Sequence, residues 1–545
     1  MSGGGGTEAG GTRNGAGSGR TASAGASEVA APQDERVSRR WFLERMAWVS
    51  SAAATGTLLA RAPAVASPRG PAVTPEAFGA DIRVQEVDDL TQLTMSESMT
   101  LIRTGALDPR DLVEAYVDRI EAFDGTYQAY ADRPSRETLF AQLARTPDDE
   151  RRAPLRGMCL APKDNCYTAD LLTEGGSLVY EGFQPDYDAT CVSLMRAAGG
   201  LVVGKAQMGN LAGGRARVYG TTTPTTRNAW TPDDVRYSPS GSSSGTGTAV
   251  AARLAVAGLG TQTGGSVIGP STAQGLTAVK PTFGRISLHG IIPLSYTRDH
   301  VGVMARDAMD AAILLQVCAQ PDPNDPRTLG LPRPPNYALA ATPFGGDRPR
   351  VRWPTRIGVW PEYLEGDNER VNQLRRDFLD ELERNPAVTI VPDVSLPDDW
   401  EALTSPPLGG SHGDPTAFFI EQLREDVRNF ADRLPRFLNG MLQSADTYVK
   451  VQQARNLLRH RMVTQLFNQC DVVVTSAGGA FDGVGLPLAC TPIGFDTDET
   501  TGARVPRGAT LGAPPFGEER LLAVIAAYQA VTDFHRERAP DPSGA

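Results

Sequence analysis

Helical periodicity and short apolar runs alternate along most of this 545-residue sequence. Residues 190–208, TCVSLMRAAGGLVVGKAQM, predict a helix, a double-glycine stop and a buried strand, which together make an α/β unit. Residues 238–266, SPSGSSSGTGTAVAARLAVAGLGTQTGGS, predict a helix of small residues between two Ser/Gly-rich loops. Because no break in this alternation marks a boundary, we expect one α/β domain.

Further helices and strands are expected on both sides of this region. Two helices are predicted within residues 94–124, where Asp108 and Pro109 have the chemistry of a helix cap and first turn. Other helices are expected at 307–319, 368–384, 448–469 and the C-terminus, and strands at RIGVW, VTIVPDV and CDVVVTSAG. The proline-rich residues 320–354 predict a surface excursion, and residues 395–445 predict an irregular segment.

The first 66 residues have the composition of a targeting sequence. Residues 1–36 are rich in Gly, Ala, Ser and Thr and predict a disordered extension. Residues 37–66 resemble a twin-arginine export signal, with Arg39 and Arg40, a weakly apolar stretch and a terminal AVA cleavage site. We expect export to the periplasm or the medium and a mature domain over residues 67–545. A disordered tail leading into an ordinary helix is the alternative.

Charge and cysteine content exclude several classes of partner. A formal net charge of −11 argues against nucleic acid, which needs a basic surface. No stretch is long and apolar enough for a good membrane span. The six cysteines contain no CxxC pair, so we expect buried free thiols and neither a disulfide framework nor a metal site. A single disulfide is the alternative. We expect neither a metal nor a cofactor.

Lysine is scarce in this chain, and one lysine lies where chemistry is expected. Only four of the 53 basic residues are lysines, so a retained lysine suggests a task that arginine cannot perform, such as losing its proton. Ser266, directly after a glycine pair, needs a base to become a nucleophile. None of the five histidines lies in a motif that supports a Ser-His-Asp triad. Such a triad remains an alternative, because its members can be far apart in sequence. Lys163 follows an apolar run, and burial would lower its pKa.

Four motifs together carry a resemblance to a known family. They are APKDN at residues 161–165, GKAQMGNLAGG at 204–214, the long run from SPSGSSSG to KPTFGRIS at 238–287, and DHVGVMARDAMDAA at 299–312. In this order and spacing they resemble the amidase signature family over roughly residues 90 to 540. The resemblance implies a single large α/β/α domain with a mixed, twisted sheet between helical layers.

The resemblance also implies a catalytic triad. Ser266 matches the nucleophile, Ser242 the serine that follows a cis peptide bond, and Lys163 the lysine of the family's KDN motif. Neutral Lys163 would take a proton from Ser242 while Ser242 takes one from Ser266. The neighbouring serines Ser240, Ser243 and Ser244 are expected to be loop hydrogen bonders.

Other site residues follow from the same motifs, whose core spans residues 155–320. The backbone N–H groups of residues 263–266 are expected to form the oxyanion hole, since glycines let successive amides face one concavity. These residues are Thr263, Gly264, Gly265 and Ser266. Gly241, Met208 and Leu211 are expected to contact substrate. Substrate choice is expected to lie in residues 209–220 and in the variable region 395–445.

The sequence departs from the family pattern beside the nucleophile. The usual aspartate and arginine are replaced by Gln262 and Ile268. Both charges are lost together, which is expected if the two side chains form an ion pair, because one charge alone would be buried without a partner. Thr246 and Val303 also differ from the usual residues. Lys205 and Lys280 are expected to be structural, and Arg306 and Asp310 are expected to form an intrahelical pair.

These observations predict an exported amidase that hydrolyses a carboxylic acid amide through an acyl-Ser266 intermediate, without metal or cofactor. The substrate is expected to be a small molecule or a peptide C-terminal amide, and esters stay open. Two alternatives remain. One is the ammonia-producing component of an amidotransferase, its A subunit, against which an export signal argues. The other is a non-catalytic binding protein on the same scaffold, suggested by Gln262 and Ile268.

Overall fold

Apolar strands from distant parts of the chain form one ten-stranded sheet, and two short strands form a separate pair. In chain order the strands are β1 Tyr130–Asp132, β2 Cys159–Pro162, β3 Leu201–Val202, β4 Lys205–Ala206, β5 Ala257–Gln262, β6 Thr277–Lys280, β7 His300–Ala305, β8 Thr355–Val359, β9 Val388–Val391, β10 Val472–Val474, β11 Leu488–Thr497 and β12 Arg504–Gly512. The large sheet has the order β3-β2-β5-β7-β6-β11-β12-β10-β8-β9, and β1 pairs with β4.

Helices connect these strands. In chain order the α-helices are α1 Met95–Arg103, α2 Pro109–Tyr127, α3 Arg136–Arg145, α4 Thr190–Ala197, α5 Ser244–Ala251, α6 Ile268–Gln274, α7 Ala308–Cys318, α8 Tyr337–Ala340, α9 Glu369–Glu383, α10 Trp400–Thr404, α11 Gly413–Glu425, α12 Leu434–Met441, α13 Ala445–Arg461, α14 Phe467–Gln469, α15 Gly478–Val484 and α16 Glu518–Gln529. Asp108 caps α2 by accepting from the Arg110 N–H, with Pro109 in the first turn, as the sequence predicts.

The sheet is mixed, and its central strands are buried on both faces. β2 runs parallel to β3 and β5, and β8 runs parallel to β9 and β10, whereas the strands between them are antiparallel. Every residue of β5, β6 and β7 is buried. Because a sheet buried on both faces must be covered on both, helices lie on either side. The predicted α/β domain with a mixed sheet between helical layers is confirmed.

The computed structural model describes residues 84 and 86–543, apart from residue 150, 219–220, 222, 346–348 and 406–412. The described residues belong to one compact unit, Ala66–Ala545. The predicted disordered extension and twin-arginine signal, residues 1–66, lie outside the described part of the chain. Within that part, no helix combines the length and apolar character that crossing a membrane requires.

Two segments are more ordered than their sequences indicate. Residues 395–445, expected to be irregular, hold α10, α11, a 3₁₀ helix at Val427–Arg433 and α12. Their short lengths and a non-helical Phe419 inside α11 break the apolar periodicity that would have shown them. Residues 320–354, expected on the surface, include α8, whose Tyr337 side chain is fully buried.

Arg306 and Asp310 bond the backbone just before and at the start of α1, not each other. The Arg306 guanidinium donates to the backbone carbonyls of Thr91, at 2.8 Å, and Leu93. The Asp310 carboxylate accepts from the N–H groups of Met95 at 2.7 Å and Ser96 at 2.9 Å, at the start of α1. The predicted intrahelical pair is wrong because Arg306 precedes α7, which begins at Ala308, and each buried charge meets backbone groups instead. Arg306 meets carbonyls before α1, and Asp310 meets the N–H groups that the start of α1 leaves unpaired.

Candidate active site

The site is built where two neighbouring parallel strands end. β2 and β5 pair in parallel, with Pro162 opposite Leu259, so their carboxyl ends lie at the same edge of the sheet. Lys163 directly follows β2, and its N–H donates to the Leu259 carbonyl at 2.8 Å. Ser266 lies in the loop between β5 and α6, and Ser242 lies just before α5. Three distant segments are thereby brought to one edge.

Lys163 is fully buried and bonded to Ser242. Its Nζ lies 2.7 Å from the Ser242 Oγ, 2.8 Å from the Thr261 Oγ1 and 3.3 Å from the Thr261 carbonyl oxygen. Burial lowers the pKa of Lys163 from 10.5 to about 7, although the charges of Cys166 and Asp299 act in the opposite direction. A neutral amine can donate to Thr261 while its lone pair accepts the proton of Ser242.

The loop before α5 brings Ser242 to this amine. The peptide bond between Gly241 and Ser242 is cis, as the family resemblance implies. A Cβ atom at position 241 would clash with the Gly214 carbonyl oxygen, so only glycine fits there. The Ser242 carbonyl accepts from the Gly209 N–H at 3.2 Å. Ser242 is buried, and its hydroxyl points to the amine described above.

The loops of Ser242 and Ser266 are bonded to each other through the backbone. The Ser243 N–H donates to the Ser266 carbonyl at 3.3 Å. Ser266 is half-buried, whereas Ser242 and Lys163 lie fully buried. The half-buried Ser266 thus lies in a loop that is hydrogen-bonded to the loop of a buried serine–lysine pair. The catalytic role of each of these three residues stays a prediction.

The other serines of the loop bond the surrounding backbone. The Ser243 Oγ accepts from the Thr261 N–H at 3.3 Å. The Ser244 Oγ donates to the Ser240 carbonyl at 2.7 Å and accepts from the Ala216 N–H at 3.1 Å. These contacts are those of loop hydrogen bonders, as predicted for Ser243 and Ser244.

Gln262 holds the end of residues 263–267, the loop of the predicted nucleophile Ser266, which is called the nucleophile loop. Its Oε1 accepts from the N–H groups of Val267 at 2.7 Å and Ile268 at 2.9 Å. Its Nε2 donates to the Asp482 Oδ1 at 2.6 Å. A carboxylate at position 262 could accept the two N–H bonds, but it would face the Asp482 carboxylate with no proton between them. The amide is therefore the side chain that fits beside Asp482.

Asp482 is a buried carboxylate that sequence reasoning missed. Its Oδ2 accepts from the Gly265 N–H at 2.7 Å, and its Oδ1 lies 3.5 Å from the Lys280 Nζ. Lys280 also donates to the Leu486 carbonyl. Asp482 lies 220 residues from Gln262 in the chain, and no local motif marks it. The predicted structural role of Lys280 follows from this pair, since a buried carboxylate needs a counterion.

The backbone donors of the expected oxyanion hole differ in their partners. The Gly265 N–H is engaged by Asp482. Within the described part of the chain, the N–H groups of Thr263, Gly264 and Ser266 have no hydrogen-bond acceptor. Gly264 is exposed. Gly265 has a φ of +83°, a left-handed conformation that favours glycine. Binding of an oxyanion by these groups stays a prediction.

Asp299 supports the outer side of the same loop. Its Oδ1 accepts from the Thr263 Oγ1 at 2.5 Å, and its Oδ2 accepts from the N–H groups of Leu294 at 2.7 Å and Ser295 at 2.8 Å. Burial raises the pKa of Asp299, although the hydrogen bonds oppose this. The motif DHVGVMARD contains Asp299, so the sequence marked the segment but not this contact.

The three residues expected to contact substrate are buried or half-buried. Met208 and Leu211 are buried. Leu211 belongs to a small apolar cluster with Phe419, Phe430 and other residues of the 413–441 segment. Gly241 is half-buried against Gly214. Contact of Met208, Leu211 and Gly241 with substrate stays a prediction.

Another buried pair and the thiols complete the surroundings. Lys205 donates to the Thr173 Oγ1 at 2.6 Å and the Leu172 carbonyl at 3.0 Å, and lies 3.4 Å from the Asp164 carboxylate, consistent with a structural role.

All six cysteines are buried and free, as expected for core thiols. Within the described residues, no group of three His, Cys, Asp or Glu side chains could hold a metal ion.

Comparison with known proteins assigns the family. Residues 111–482 match the family described as Amidase. The chain belongs to the amidase family. It is 31% identical to the putative amidase AmiD of Mycobacterium bovis over 491 residues, which cover 83% of this chain and 97% of that relative. The predicted family is confirmed.

Two further relatives frame the range of activities in this family. The chain is 32% identical over 506 residues to the A component of the glutamyl-tRNA(Gln) amidotransferase of Chloroflexus aggregans, covering 83% of this chain and 99% of that one. The peptide amidase of Stenotrophomonas maltophilia has a similar structure, with a TM-score of 0.71 and 27% identity over 83% of this chain and 99% of that one. Family and solved structure together support an amidohydrolase that cleaves amides.

Proposed function

We propose that this amidase hydrolyses a carboxylic acid amide to an acid and ammonia or an amine through an acyl-enzyme on Ser266. The hydrogen bond of 2.7 Å between the Lys163 amine and the Ser242 hydroxyl carries the proposal. It joins a buried base of lowered pKa to a hydroxyl beside the loop of Ser266. A serine hydroxyl becomes nucleophilic only when such a base accepts its proton.

The proposed steps move one proton along this chain of groups. Ser242 takes the proton of Ser266 and passes its own to neutral Lys163, while the Ser266 Oγ attacks the amide carbon. Ser242 then returns a proton to the leaving nitrogen as the C–N bond breaks, which frees the amine and leaves an ester on Ser266. Water, deprotonated through the same relay, hydrolyses the ester and regenerates the serine. Free N–H groups at Gly264 and Ser266 would stabilise the oxyanion of both steps.

The experiment is a panel of primary and secondary amides assayed for acid and amine release. We expect turnover by the wild type and loss of turnover in Ser266→Ala and Lys163→Ala. Ser244→Ala is the matched control, because Ser244 bonds loop backbone only. A serine-reactive fluorophosphonate should label the wild type and not Ser266→Ala. Absence of label on the wild type would instead favour a non-catalytic binding protein.

An amidotransferase component remains the second candidate function, because one relative of 32% identity is such a component. That function predicts a stable complex with further proteins and ammonia transfer to a tRNA-bound substrate. Our proposal predicts that the purified chain hydrolyses amides alone. Size-exclusion chromatography of the active fraction from the native cell extract decides between them, since activity eluting with a larger complex would favour the amidotransferase.

We also propose that the protein is exported by the twin-arginine route and acts outside the cytoplasm. Arg39 and Arg40 followed by a weakly apolar stretch and the AVA cleavage site support this proposal. A reporter fused after residue 66 should be exported, and the Arg39→Lys/Arg40→Lys variant should retain it in the cytoplasm. Equal retention of both fusions would contradict export.

A further inference from the structure

Asp414, in the first turn of α11, is a buried carboxylate that accepts hydrogen bonds from three hydroxyl groups. Its Oδ2 accepts from Ser295 at 2.6 Å and from Thr297 at 2.7 Å, and its Oδ1 accepts from Tyr448 at 2.7 Å. Although burial opposes it, these bonds hold the pKa of Asp414 below its usual value. The carboxylate is therefore ionised at neutral pH and depends on these donors in place of water.

The three donors come from two separate segments of the chain. Ser295 and Thr297 lie 119 and 117 residues before Asp414, in residues 294–299, which we call the 294–299 turn. Tyr448 lies in α13, on the far side of α12 in the sequence. Asp414 is thus the point at which the start of α11, α13 and the 294–299 turn are held together.

The 294–299 turn supports the nucleophile loop through its last residue, Asp299. The Asp299 Oδ2 closes the turn by accepting from the Ser295 N–H at 2.8 Å, and its Oδ1 accepts from the Thr263 hydroxyl at 2.5 Å. Ser295 therefore bonds both carboxylates, Asp299 with its backbone N–H and Asp414 with its hydroxyl. One residue thereby links the start of α11 to the carboxylate that holds Thr263.

Arg455 makes a second connection, from α13. Its guanidinium donates to the Thr297 hydroxyl at 2.9 Å and to the Thr297 carbonyl at 3.0 Å, and its Nε donates to the Gly483 carbonyl at 2.6 Å. Gly483 directly follows Asp482, the carboxylate that accepts from the Gly265 N–H. Arg455 therefore joins the 294–299 turn to the segment that holds the other side of the nucleophile loop.

α11 also reaches the region in which substrate choice is expected. Its Phe419 is fully buried and packs in the apolar cluster that contains Leu211. The two residues belong to the segments 395–445 and 209–220, which are expected to govern substrate choice. One helix thus contacts this region at its middle and a support of the nucleophile loop at its start. Hydrogen-bond networks and the elements that join them carry energetic coupling between sites.

We propose that Asp414 and Arg455 are positioning residues, which couple the placement of α11 and α13 to the geometry of the nucleophile loop. The proposal rests on the proposed amide hydrolysis, in which Ser266 must be aimed at the amide carbon. Both residues act through the carboxylates of Asp299 and Asp482. Because a small displacement of a reacting group lowers the rate strongly, loss of these contacts should lower the reactivity of Ser266 itself.

The reactivity test measures the rate at which a serine-reactive fluorophosphonate labels Ser266 in the folded protein. We expect Asp414→Ala and Arg455→Met each to slow labelling about tenfold or more. Each should also lower kcat for a short amide such as propionamide more than it changes KM. A purely structural role would lower the free energy of unfolding and leave the labelling rate of the folded protein unchanged, and that result would overturn the proposal.

Three further variants isolate the hydrogen bonds of Asp414. Asp414→Asn should restore most of the rate, because its amide oxygen can accept from Ser295 and Thr297 while its NH₂ group donates to the Tyr448 oxygen. An asparagine variant as slow as Asp414→Ala would contradict the role of these bonds. Tyr448→Phe removes one of the three bonds, should slow labelling by a smaller factor, and serves if Asp414→Ala does not fold. Glu421→Gln, an exposed residue of α11, is the matched control and should label like the wild type.

Hydrogen–deuterium exchange separates this proposal from the proposed function, since it needs no turnover. The Gly265 and Val267 N–H groups are hydrogen-bonded within the folded domain. In Asp414→Ala we expect faster exchange in peptides that cover residues 263–267 and unchanged exchange in α2. Unchanged exchange in 263–267, or equal acceleration in α2, overturns the coupling even if the wild type hydrolyses amides. Faster exchange in 263–267 alone, in a chain that hydrolyses no amide, supports the coupling and contradicts the hydrolase.

Discussion

Lys163 combines complete burial with a hydrogen bond to Ser242, and this combination sets the pH dependence of the proposed reaction. Only the neutral amine can accept a proton, and its pKa of about 7 places the change near neutrality. We expect kcat/KM to rise with pH through about 7 and then to level off. A pH–rate profile on an uncharged amide tests this, and a flat profile one pH unit either side of that value would contradict it.

The same burial makes stability depend on pH. The folded-state pKa is about 7 and the ordinary value is 10.5, so between them the unfolded chain binds the proton and the folded protein does not. The free energy of unfolding therefore rises with pH across that window, by at most about 1.4 kcal/mol per pH unit from this group. Below about pH 7 the full penalty of a buried charge applies.

Lys163→Met removes this contribution and leaves the other buried lysines in place. We expect the variant to be stabilised relative to the wild type most at low pH, with the difference shrinking as pH rises from 7 to 10.5. Urea denaturation at several pH values measures it. A difference that is independent of pH would show that burial of the amine does not oppose its charged form.

Asp482 is a positioning residue for the nucleophile loop, because it accepts from Gly265 and Gln262 at once. Asp482→Asn removes the negative charge beside Lys280. Its NH₂ group also faces either the Gly265 N–H or the Gln262 amide N–H, so two donors meet without an acceptor. We expect a loss of about 3–5 kcal/mol in the free energy of unfolding, and a fall in kcat larger than any change in KM. Urea denaturation and steady-state kinetics measure the two effects.

The double variant Asp482→Asn/Lys280→Met provides the control for that prediction. If the buried charge pair is responsible, removing both charges recovers part of the stability lost by Asp482→Asn alone. The kcat should stay low, since the Gly265 acceptor is still altered. Wild-type kcat in Asp482→Asn would exclude the positioning role.

At the scale of elements, α1 is held to the domain by a carboxylate from α7. Asp310→Asn keeps the shape of this side chain but turns an NH₂ group toward the N–H of Met95 or Ser96. We expect a loss of about 1–3 kcal/mol in the free energy of unfolding, the cost of a buried donor left unsatisfied. Asp108→Asn is the matched control: this exposed cap of α2 tolerates asparagine with little change. Equal effects of the two substitutions in thermal or urea denaturation would contradict the assignment.

The sequence predicts elements with long periodic segments better than short ones. The helix and strand pattern of residues 190–208 and the cap at Asp108 both agree with the structure, because local chemistry determines them. The sequence predicts an irregular segment around α11 and α12, where the structure has helices. The prediction fails because these helices are short and their apolar residues pack in a separate cluster with Leu211 and Ile292. Such packing depends on partners more than a hundred residues away, which periodicity does not encode.

At the scale of the whole molecule, the motifs predict which segments form the candidate site, but they do not predict every residue that supports it. Lys163 and Ser242 carried a recognisable motif each, and the structure brings them to 2.7 Å. Asp482 lies in no motif that the sequence shows. Its contacts with Gln262 and Gly265 arise only after folding, because more than two hundred residues separate it from them.

Removal of residues 1–66 tests the domain boundary at this scale. If they form an extension and an export signal, the chain starting at residue 67 should have the melting temperature and kcat/KM of the full-length protein. Calorimetry and the amide assay on both proteins measure this. A shorter chain that fails to fold would show that the first 66 residues contribute to the domain.

The carboxylate that braces the nucleophile loop comes from residue 482, in the last eighth of the chain. A ribosome that has released only the first four hundred or so residues has therefore already made Ser266, Ser242 and Lys163 but not the brace. We therefore expect the loop of Ser266 to reach its final geometry only late in translation, because a shorter nascent chain lacks the acceptor for the Gly265 N–H.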